Sequence, residues 1–535
     1  MRRPAVLAGL LSLMVVFAGV VYGTWVAGGM DSLGYVSQSD RWLSGPLIVP
    51  QPGIDAIPWP NALQTIVPLG YVPSPDGRGS APYYSPGLSM LMALARLVAG
   101  YCAVFWVVPL CGGLLVASTF VIGRHVRSEA VGLAAAALVA TSPVVLFMST
   151  APMSDLPAAA FWALSLAAAL VPGRVSTGRA IAAGAAAGVS ILIRPNLVVI
   201  AALIALYLLL RAGRPRRDDV RAVVAFSAAV VPAALFIAWI NTVWYGAPTK
   251  SGPGDLAGDL FSAANIAANF VLYPTWFVTT QTPLAVAGVA ALFLPLRRIW
   301  RTRENVAIAV LFAAMFVVTL FMHSLFIPLD EWWYLRYLLV LWPPIFVGLG
   351  MVWSLAWESA RPGLRLGSVV VLIGLCLVGL RIATLRNSFA NGPMERRYVE
   401  AARLLSGHTK PDAVIFSYQH SATARYYGGR MTVRYEWVPR EWLGRAVAWL
   451  ESQGRHPYAL LEEWELERFR EHYAGQGAIG ALDRRLIFVS RSAGPDVYLY
   501  DLLQPGDGSG PTIRARDLSA RCEHPAPPPD VTLTR

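Results

Sequence analysis

Gly28-Gly-Met-Asp-Ser-Leu-Gly-Tyr35 directly follows the first long apolar run, residues 4–27, and together these two stretches decide the fold. An apolar run of that length predicts a helix that crosses a membrane, and at its end the chain leaves lipid and meets water. Asp31 therefore stands at a membrane boundary. A carboxylate there is either a solvated loop anion or helix cap, or a catalytic base at the outer surface of a membrane enzyme.

The composition is that of a membrane protein. Of 535 residues, 56% are hydrophobic and only 14% are charged, which is too apolar for a soluble chain of this length. The net charge of +12 does not indicate nucleic-acid binding, because the arginines fall in short clusters between apolar runs and not along one basic face. These clusters report the topology instead.

Apolar runs long enough to span lipid recur along the first 386 residues, and continuous runs of this kind can cross a membrane only as helices. We expect about eleven spans, at 4–27, 101–123, 129–147, 156–172, 179–193, 196–211, 220–241, 283–296, 304–325, 334–356 and 366–386. The first of them has a second interpretation as a secretory signal peptide, since Arg2 and Arg3 precede it. Residues 85–100 are apolar but short and carry Arg96, and we interpret them as a helix at the membrane interface.

Simple alternation of the spans places the arginine clusters on one side, which the positive-inside rule makes cytoplasmic, as is the N-terminus. The clusters are Arg2-Arg3, Arg124 and Arg127, Arg174 and Arg179, Arg211 with Arg214, Arg216 and Arg217, Arg297-Arg298 with Arg301 and Arg303, and Arg361 with Arg365. The other side receives the loops 28–100, 148–155, 242–282 and 326–333 and everything after residue 386. We expect a multi-pass protein of a bacterial inner membrane.

The sequence changes character after residue 386, becoming charged, rich in aromatic residues and alternating in period. Five short strand patterns, at 412–418, 431–437, 458–461, 485–489 and 497–500, are separated by helical patterns at 394–406, 440–453 and 464–473. The fold class is thus an α-helical polytopic membrane domain (1–386) with a small extracytoplasmic α/β domain (387–503). Residues 504–535 are rich in Gly, Pro and charge, and we expect disorder there.

Cysteine placement predicts neither a disulfide framework nor a cysteine metal site. Cys102, Cys111 and Cys376 lie inside apolar runs, and Cys522 is alone in the polar tail. The glutamates of Glu462-Glu-Trp-Glu465 follow a predicted strand, where they either line a ligand site or simply open the next helix as solvated acids.

Charged residues near spans are costly, and those on the predicted outer side are few. They are Asp31, Asp155, Arg194, Lys250, His323, Asp330, Glu331 and Arg336. Because all of them fall in outer loops or at outer helix ends, we expect them to share one outward-facing polar cavity.

Several motifs, in this order, resemble the GT-C superfamily of polytopic glycosyltransferases, including protein O-mannosyltransferases and lipid A aminoarabinose transferases. They are Met30-Asp-Ser-Leu-Gly-Tyr35, Tyr84-Ser-Pro-Gly-Leu88, Met153-Ser-Asp-Leu-Pro157, Gly188-Val-Ser-Ile-Leu-Ile-Arg-Pro195 and Trp244-Tyr-Gly-Ala-Pro248. The resemblance covers about residues 1–385. It implies an enzyme that uses a sugar linked to polyprenyl phosphate as co-substrate, works at the outer leaflet and inverts the anomeric centre. The implied partners are membrane lipids, that donor and a glycan, lipid or protein acceptor, with no nucleic acid.

Carried onto this chain, the resemblance makes Asp31 the base that deprotonates the acceptor hydroxyl, with Tyr35 as support. Asp155 matches a second acidic position, where it holds a metal, orients the acceptor or caps the helix that begins at Leu156-Pro157. Many relatives have a second carboxylate directly after the first, whereas this chain has Ser32. Any divalent metal would therefore need Asp31 and Asp155 from two separate loops.

The departing lipid phosphate needs a cation that stays protonated beside lipid, which favours arginine. Arg336 is the first candidate and Arg194 the second, each with lipid-headgroup contact as the alternative. Lys250 and His323 are weaker candidates. Asp330 and Glu331 precede Arg336, and three interpretations are open for them: salt-bridge partners of Arg336, a pair of metal ligands, or loop residues without a functional role.

Two other classes of protein fit the composition. A secondary transporter would also have many helices and a polar cavity, but it should show internal repeats and charges near the middle of the membrane. We find no such repeat. The other alternative is a scaffold or binding protein whose working part is the outer α/β domain.

Overall fold

The computed structural model describes residues 2–211, 213–254, 257–294, 297–514 and 522–526. Helices dominate as far as Leu385, and a mixed helix and sheet domain follows. The helices of the first part are α1 (Arg2–Val21), α2 (Gly29–Leu43), α3 (Ala62–Ile66), α4 (Pro86–Ala99), α5 (Val107–Val126), α6 (Glu129–Ala140), α7 (Pro143–Ser149), α8 (Asp155–Ala169), α9 (Thr177–Ile193), α10 (Val199–Leu210), α11 (Arg217–Tyr245), α12 (Ala257–Leu260), α13 (Ile266–Gln281), α14 (Val286–Phe293), α15 (Arg303–Ser324), α16 (Trp342–Trp357) and α17 (Pro362–Leu385).

Each predicted apolar run coincides with helix. Among the described residues, six helices are long and apolar enough to cross a membrane, and two bent pairs bring the number to as many as eight. The bent pairs are α6 with α7, at 61°, and Ala263–Gln281 with Pro283–Phe293, at 113°. Helices α8, α9 and α10 are apolar but shorter; α8 packs on α9, and α9 and α10 pack on α11. The total of about eleven spans stays a prediction.

The predicted loop 242–282 contains a helix that the sequence analysis missed. Helix α13 crosses the ends of two other helices: the amide of Asn269 donates to the carbonyl of Ser324, 3.0 Å away at the end of α15, and the guanidinium of Arg386, just after α17, lies 5.2 Å from the ring centre of Trp276. Its internal Pro274 and its polar residues concealed it, because both are typical of loops.

Members of several arginine clusters assigned to one side do lie together. Arg127 and Arg301, from different connections, both bind the carboxylate of Glu358, at 2.5 and 2.7 Å. Arg211 contacts Glu304 and the carbonyl of Val171 at the same end of the bundle. The opposite end holds the outer loops, and we call it the site end.

The site end is covered by the first loop, residues 28–100. In chain order it consists of α2, strand β1 (Val49–Pro50), α3, strands β2 (Tyr71–Pro73) and β3 (Gly79–Pro82), and α4. As predicted, residues 85–100 form a helix too short to span a membrane, α4, whose Leu94, Leu97 and Val98 are exposed. An interfacial helix presents such an apolar face to lipid.

The C-terminal domain has the predicted α/β architecture, and all five predicted strands are present. The elements are α18 (Asn391–His408), β4 (Ala413–Phe416), α19 (Ser421–Tyr426), β5 (Met431–Val433), α20 (Leu443–Ser452), β6 (His456–Glu462), α21 (Glu463–His472), α22 (Gly477–Gly480), β7 (Arg484–Arg491), β8 (Val497–Pro505) and β9 (Thr512–Arg514). In the described chain the sheet order is β5-β4-β6-β8-β7-β9, with β5, β4 and β6 parallel. Adjacent residues such as Val414 and Ile415 point to opposite faces of the sheet, and each face packs in a separate hydrophobic core.

This domain is docked on the first loop. The Tyr427 hydroxyl accepts a bond from the Ala27 amide at 2.9 Å, and the Ser421 hydroxyl accepts one from Leu69 at 3.2 Å. Tyr426 donates to the carboxylate of Asp40 on α2 at 2.8 Å. The Asp31 segment is thus held between the helix bundle and the α/β domain.

Two sequence expectations about the end of the chain are wrong. Residues 504–514 are not disordered as predicted, because β8 continues to Pro505 and β9 pairs with β7. Cys522 is disulfide-bonded to Cys102, 420 residues earlier, and Cys102 lies in the 3₁₀ helix Tyr101–Trp106 that precedes α5. Residues 515–521 and 527–535, also predicted to be disordered, lie outside the described residues.

Candidate active site

Asp31 lies in the first turn of α2, where the free backbone amides of the helix favour a negative charge. The turn is locked by Gly28, whose missing side chain leaves room for Tyr398 and Glu395 of the C-terminal domain. Any side chain at residue 28 would overlap the Tyr398 ring. The C-terminal domain therefore fixes where α2 begins and where the Asp31 carboxylate points.

Two side chains hold the Asp31 carboxylate. The hydroxyl of Tyr84 donates to Oδ1, and Nη2 of Arg336 lies 3.3 Å from Oδ2. Tyr84 reaches Asp31 because residue 34 on the next turn is glycine: a Cβ there would come within 2.7 Å of the tyrosine ring. The Asp31 side chain remains 34% exposed, so it is accessible to a ligand.

Arg336 continues from Asp31 into a chain of alternating charges. It lies in the 3₁₀ helix Trp332–Leu341, and its Nε is 3.9 Å from Oδ2 of Asp155. The other oxygen of Asp155 is 2.8 Å from Nη2 of Arg194, which ends α9. Asp155 is only 1% exposed, and burying a carboxylate is costly unless cations pair with it, as the two arginines do here.

Tyr337 lies beneath the two arginines. Its ring centre is 5.1 Å from the Arg336 guanidinium carbon and 5.4 Å from that of Arg194, within cation–π range. The imidazole of His323 stacks on the same ring at 5.7 Å, and its Nδ1 is 2.9 Å from the carbonyl of Thr319. His323 is thus one layer behind the charges and supports Tyr337.

Tyrosines beside Asp31 stay protonated. Burial raises the pKa of Tyr35, and burial together with the Asp31 charge raises the pKa of Tyr84 well above its usual value. The two rings are 4.6 Å apart, so Tyr35 packs behind the tyrosine that binds Asp31. Tyr35, which was predicted as a supporting residue, therefore lies next to the site and packs behind Tyr84.

The structure brings together Asp31, Asp155, Arg194 and Arg336, as the sequence predicts, and separates three others. Asp330 and Glu331 are exposed and form no ion pair within the described residues, so they are not the partners of Arg336. Arg336 instead contacts the two distant aspartates. Lys250 is exposed and makes no ion pair in the described chain, although Gly252, two residues on, packs against Tyr83.

The helix-cap interpretation of Asp155 is also wrong. Ser154 is the capping residue of α8, and Asp155 is its first helical residue, with its carboxylate turned to the arginines. The Ser154 hydroxyl accepts a bond from Nε of Arg194 at 3.2 Å. Asp155 is therefore one of the paired charges of the chain that links Asp31, Arg336 and Arg194.

Sequence reasoning missed Tyr84, Ser154, Tyr337 and Glu395. Tyr84 stands in a motif that was noticed, yet its neighbours suggested only a helix start. Glu395 belongs to the other domain, where nothing in sequence connects it with residue 28. Burial raises the pKa of Glu395 to about 7, and its carboxylate faces the Gly28 amide. With Tyr398, this carboxyl group packs against the start of the Asp31 turn.

Asp31 and Asp155 do not fit a shared divalent cation as they are arranged here. Small hard cations bind several oxygens in a regular geometry, whereas the Arg336 guanidinium contacts both carboxylates. A metal ion between them would have to replace that guanidinium. The arrangement can instead accept a proton at Asp31 and neutralise an anion at Arg336.

The chain has the fold of the GT-C polytopic membrane proteins. Solved structures of this fold resemble the chain over nearly its whole length: 92% of the chain aligns with 74% of the Archaeoglobus fulgidus oligosaccharyltransferase at a TM-score of 0.60 and 13% identity. ArnT from Cupriavidus metallidurans, bound to undecaprenyl phosphate, aligns over 92% of this chain and 97% of its own, with a TM-score of 0.53 and 13% identity.

The arabinofuranosyltransferase AftD from Mycobacteria is a further neighbour. It aligns with 95% of this chain at a TM-score of 0.52 and 15% identity, but over only 42% of its own length. No protein-family model and no curated protein sequence matches the chain. The likeness is therefore one of fold, and the expected GT-C architecture is confirmed.

Proposed function

We propose that this chain is a membrane glycosyltransferase that moves one hexosyl or pentosyl unit from a polyprenyl-phosphate donor to an acceptor hydroxyl, with inversion. One observation carries the proposal: Asp31, Arg336, Asp155 and Arg194 come from four separate segments and form a continuous chain of charges at the site end. A partly exposed carboxylate next to a buried arginine suits a proton acceptor beside an anionic leaving group.

In the proposed reaction the acceptor oxygen attacks the anomeric carbon. The new glycosidic bond forms as the bond between that carbon and the phosphate oxygen breaks, and polyprenyl phosphate leaves with the electron pair. The acceptor proton passes to an oxygen of Asp31. A single displacement of this kind inverts the anomeric centre.

The other charged residues support this step. Arg336 binds the leaving phosphate and separates its charge from Asp31, while Asp155 and Arg194 hold the Arg336 guanidinium in place from the buried side. Tyr84 fixes the rotation of the Asp31 carboxylate through its hydroxyl. The contacts that these residues make are the ones that the proposed roles require. None of these roles needs a metal ion.

The solved neighbours support the choice of donor. ArnT has been solved bound to undecaprenyl phosphate, and the Archaeoglobus fulgidus enzyme AglB in complex with a dolichol-phosphate. Both ligands place a phosphate on a polyprenyl chain, and an arginine is the side chain best suited to bind it. An acceptor glycan, lipid or protein would approach from the first loop and the C-terminal domain.

Transfer is tested with purified protein and polyprenyl-phosphate donors that carry radiolabelled mannose or arabinofuranose, with envelope lipid, glycan and peptide fractions as acceptors. We expect label to leave the lipid donor, polyprenyl phosphate to accumulate, and NMR of the product to show the inverted anomer. Label that stays on the lipid for every donor and acceptor would contradict the proposal, and retention would contradict the single displacement.

We further propose that the site end faces the extracytoplasmic side of a bacterial inner membrane. The Cys102–Cys522 disulfide supports this orientation, because disulfides persist in oxidising compartments. So does the gathering of the arginine clusters at the opposite end. A reporter that is active only in the periplasm is expected to be active when it is fused after Arg386. An inactive fusion at that position would contradict the proposed orientation.

A further inference from the structure

A buried ion pair of the C-terminal domain lies outside the charge chain. Glu462 is the last residue of β6, and its side chain is only 1% exposed. One of its carboxylate oxygens is 2.8 Å from Nε of Arg397 on α18 and 3.2 Å from Nε2 of His420. The indole of Trp464 donates to the other oxygen at 2.6 Å. The sequence allowed Glu462 to be a solvated acid, whereas the structure buries it in this pair, which we call the Arg397–Glu462 pair.

The sheet topology explains the place of this pair. Strands β4 and β6 are neighbours and parallel, and β5 lies on the other side of β4, so the strand order reverses between β4 and β6. Glu462 and the segment 417–420 lie at the carboxyl ends of these two strands, where ligands commonly bind in open α/β sheets. In this domain the group that Glu462 binds there is a guanidinium of the chain itself.

The Arg397–Glu462 pair holds Tyr398. Nη2 of Arg397 donates to the Tyr398 hydroxyl at 2.8 Å, and the guanidinium carbon lies 4.2 Å from the centre of the tyrosine ring. The side-chain amide of Gln419, which follows β4, donates to the same hydroxyl. Nη1 of Arg397 also lies 3.9 Å from Glu395, the other side chain beside Gly28. Tyr398 is thus buried and fixed both at its ring and at its hydroxyl.

Tyr398 in turn packs against the turn that carries Asp31. Gly28 caps α2, and a Cβ on it would lie 1.9 Å from Cδ2 of the Tyr398 ring. Gly29 has a φ of +60°, a conformation that favours glycine, and a Cβ there would lie 3.4 Å from the tyrosine hydroxyl. Asp31 follows two residues later. The position of the Tyr398 ring therefore sets the direction in which α2 begins.

We infer that Arg397 and Glu462 are positioning residues for Asp31: their ion pair holds Tyr398 against Gly28 and Gly29 and so directs the Asp31 carboxylate. The effect on catalysis rests on the proposed function, whereas the coupling of the pair to α2 does not. Displacing a reacting group by about 1 Å can cost about 10² in rate, so residues that do not contact the reacting atoms can control the reaction.

Arg397→Gln removes the cation that Glu462 and Tyr398 share. We expect kcat for sugar transfer to fall roughly 10- to 100-fold, with KM for the lipid donor nearly unchanged because Arg336 is not altered. Glu462→Gln should act in the same direction, and Arg397→Lys, which keeps a charge beside Glu462, should recover part of the rate. The control is Arg403→Gln on the same helix, whose ion pair is exposed and which should transfer at the wild-type rate.

A double variant shows whether Arg397 acts through the proposed base. In the Asp31→Asn protein, Arg397→Gln should lower the residual transfer rate no further, because there is no base left to position. A further loss of roughly tenfold or more would mean that Arg397 acts on the fold or on substrate binding, and it would overturn the inference.

Hydrogen exchange of the full-length protein in nanodiscs, without donor or acceptor, tests the coupling apart from the reaction. In Arg397→Gln we expect the peptide that covers α2 to exchange about tenfold faster, while peptides from β7 and β8 exchange as in the wild type. Tyr398→Phe keeps the ion pair and loses only the hydroxyl, so it serves if Arg397→Gln does not fold and should show the same changes to a smaller extent.

Wild-type kcat or unchanged exchange of α2 in the folded variants would overturn the inference. Should the wild-type protein transfer no sugar, the proposed function fails, and the exchange of α2 still decides whether the Arg397–Glu462 pair controls this helix.

Discussion

Asp31→Asn is expected to lower the rate of sugar transfer by about 10²–10⁴, the contribution typical of a positioned general base. Asparagine has nearly the same shape as aspartate and can still accept the bond from Tyr84, but its amide cannot take the acceptor proton. Arg336 retains Asp155 as a partner, so the arrangement should persist. The effect should therefore fall on kcat, with little change in KM for the donor.

The matched control is Asp55→Asn, an exposed acid in the same first loop. It should transfer sugar at the wild-type rate, which separates the chemistry of Asp31 from a general effect of charge. Turnover by purified, folded Asp31→Asn within a few-fold of wild type would eliminate Asp31 as the base.

Arg336→Lys is expected to reduce kcat/KM for the lipid donor by roughly 10- to 100-fold, the worth of one hydrogen bond to a charged group. Lysine keeps the positive charge that Asp31 and the buried Asp155 require, so the variant should fold. It cannot present the planar fork of donors that binds a carboxylate and a phosphate together. The loss should appear in donor binding and in the transition state alike.

Arg386→Lys is the control for this variant, because Arg386 also lies at the site end but packs on Trp276 and not on the aspartates. It should leave kcat/KM unchanged. Thermal unfolding of both variants, measured beside the kinetics, tells lost function from lost fold. An Arg336→Lys enzyme with normal kcat/KM would show that another cation binds the phosphate.

Helices were predictable from this sequence because lipid imposes one solution on a long apolar run. Where that constraint weakens, the prediction failed: α13 lies across helix ends, contains Pro274 and was taken for a loop. The strands of the C-terminal domain were predictable as short runs rich in apolar and aromatic residues, because a sheet buried on both faces favours such runs.

The members of the charge chain were predictable one by one, but their pairing was not. Charged side chains near spans are few on the predicted outer side, which singled out Asp31 and Arg336, yet these two lie 305 residues apart and only the packed bundle brings them together. Proximity in sequence was also misleading: Asp330 and Glu331 come shortly before Arg336, but within the described residues they form no ion pair with it. Tyr84 was overlooked because tyrosines near spans are ordinary interface residues.

The most direct measurement is a structure of the Asp31→Asn protein with a polyprenyl-phosphate sugar bound. The account predicts that the phosphate contacts the Arg336 guanidinium and that the anomeric carbon faces residue 31 with room for an acceptor hydroxyl between them. A donor phosphate bound away from Arg336 would contradict it.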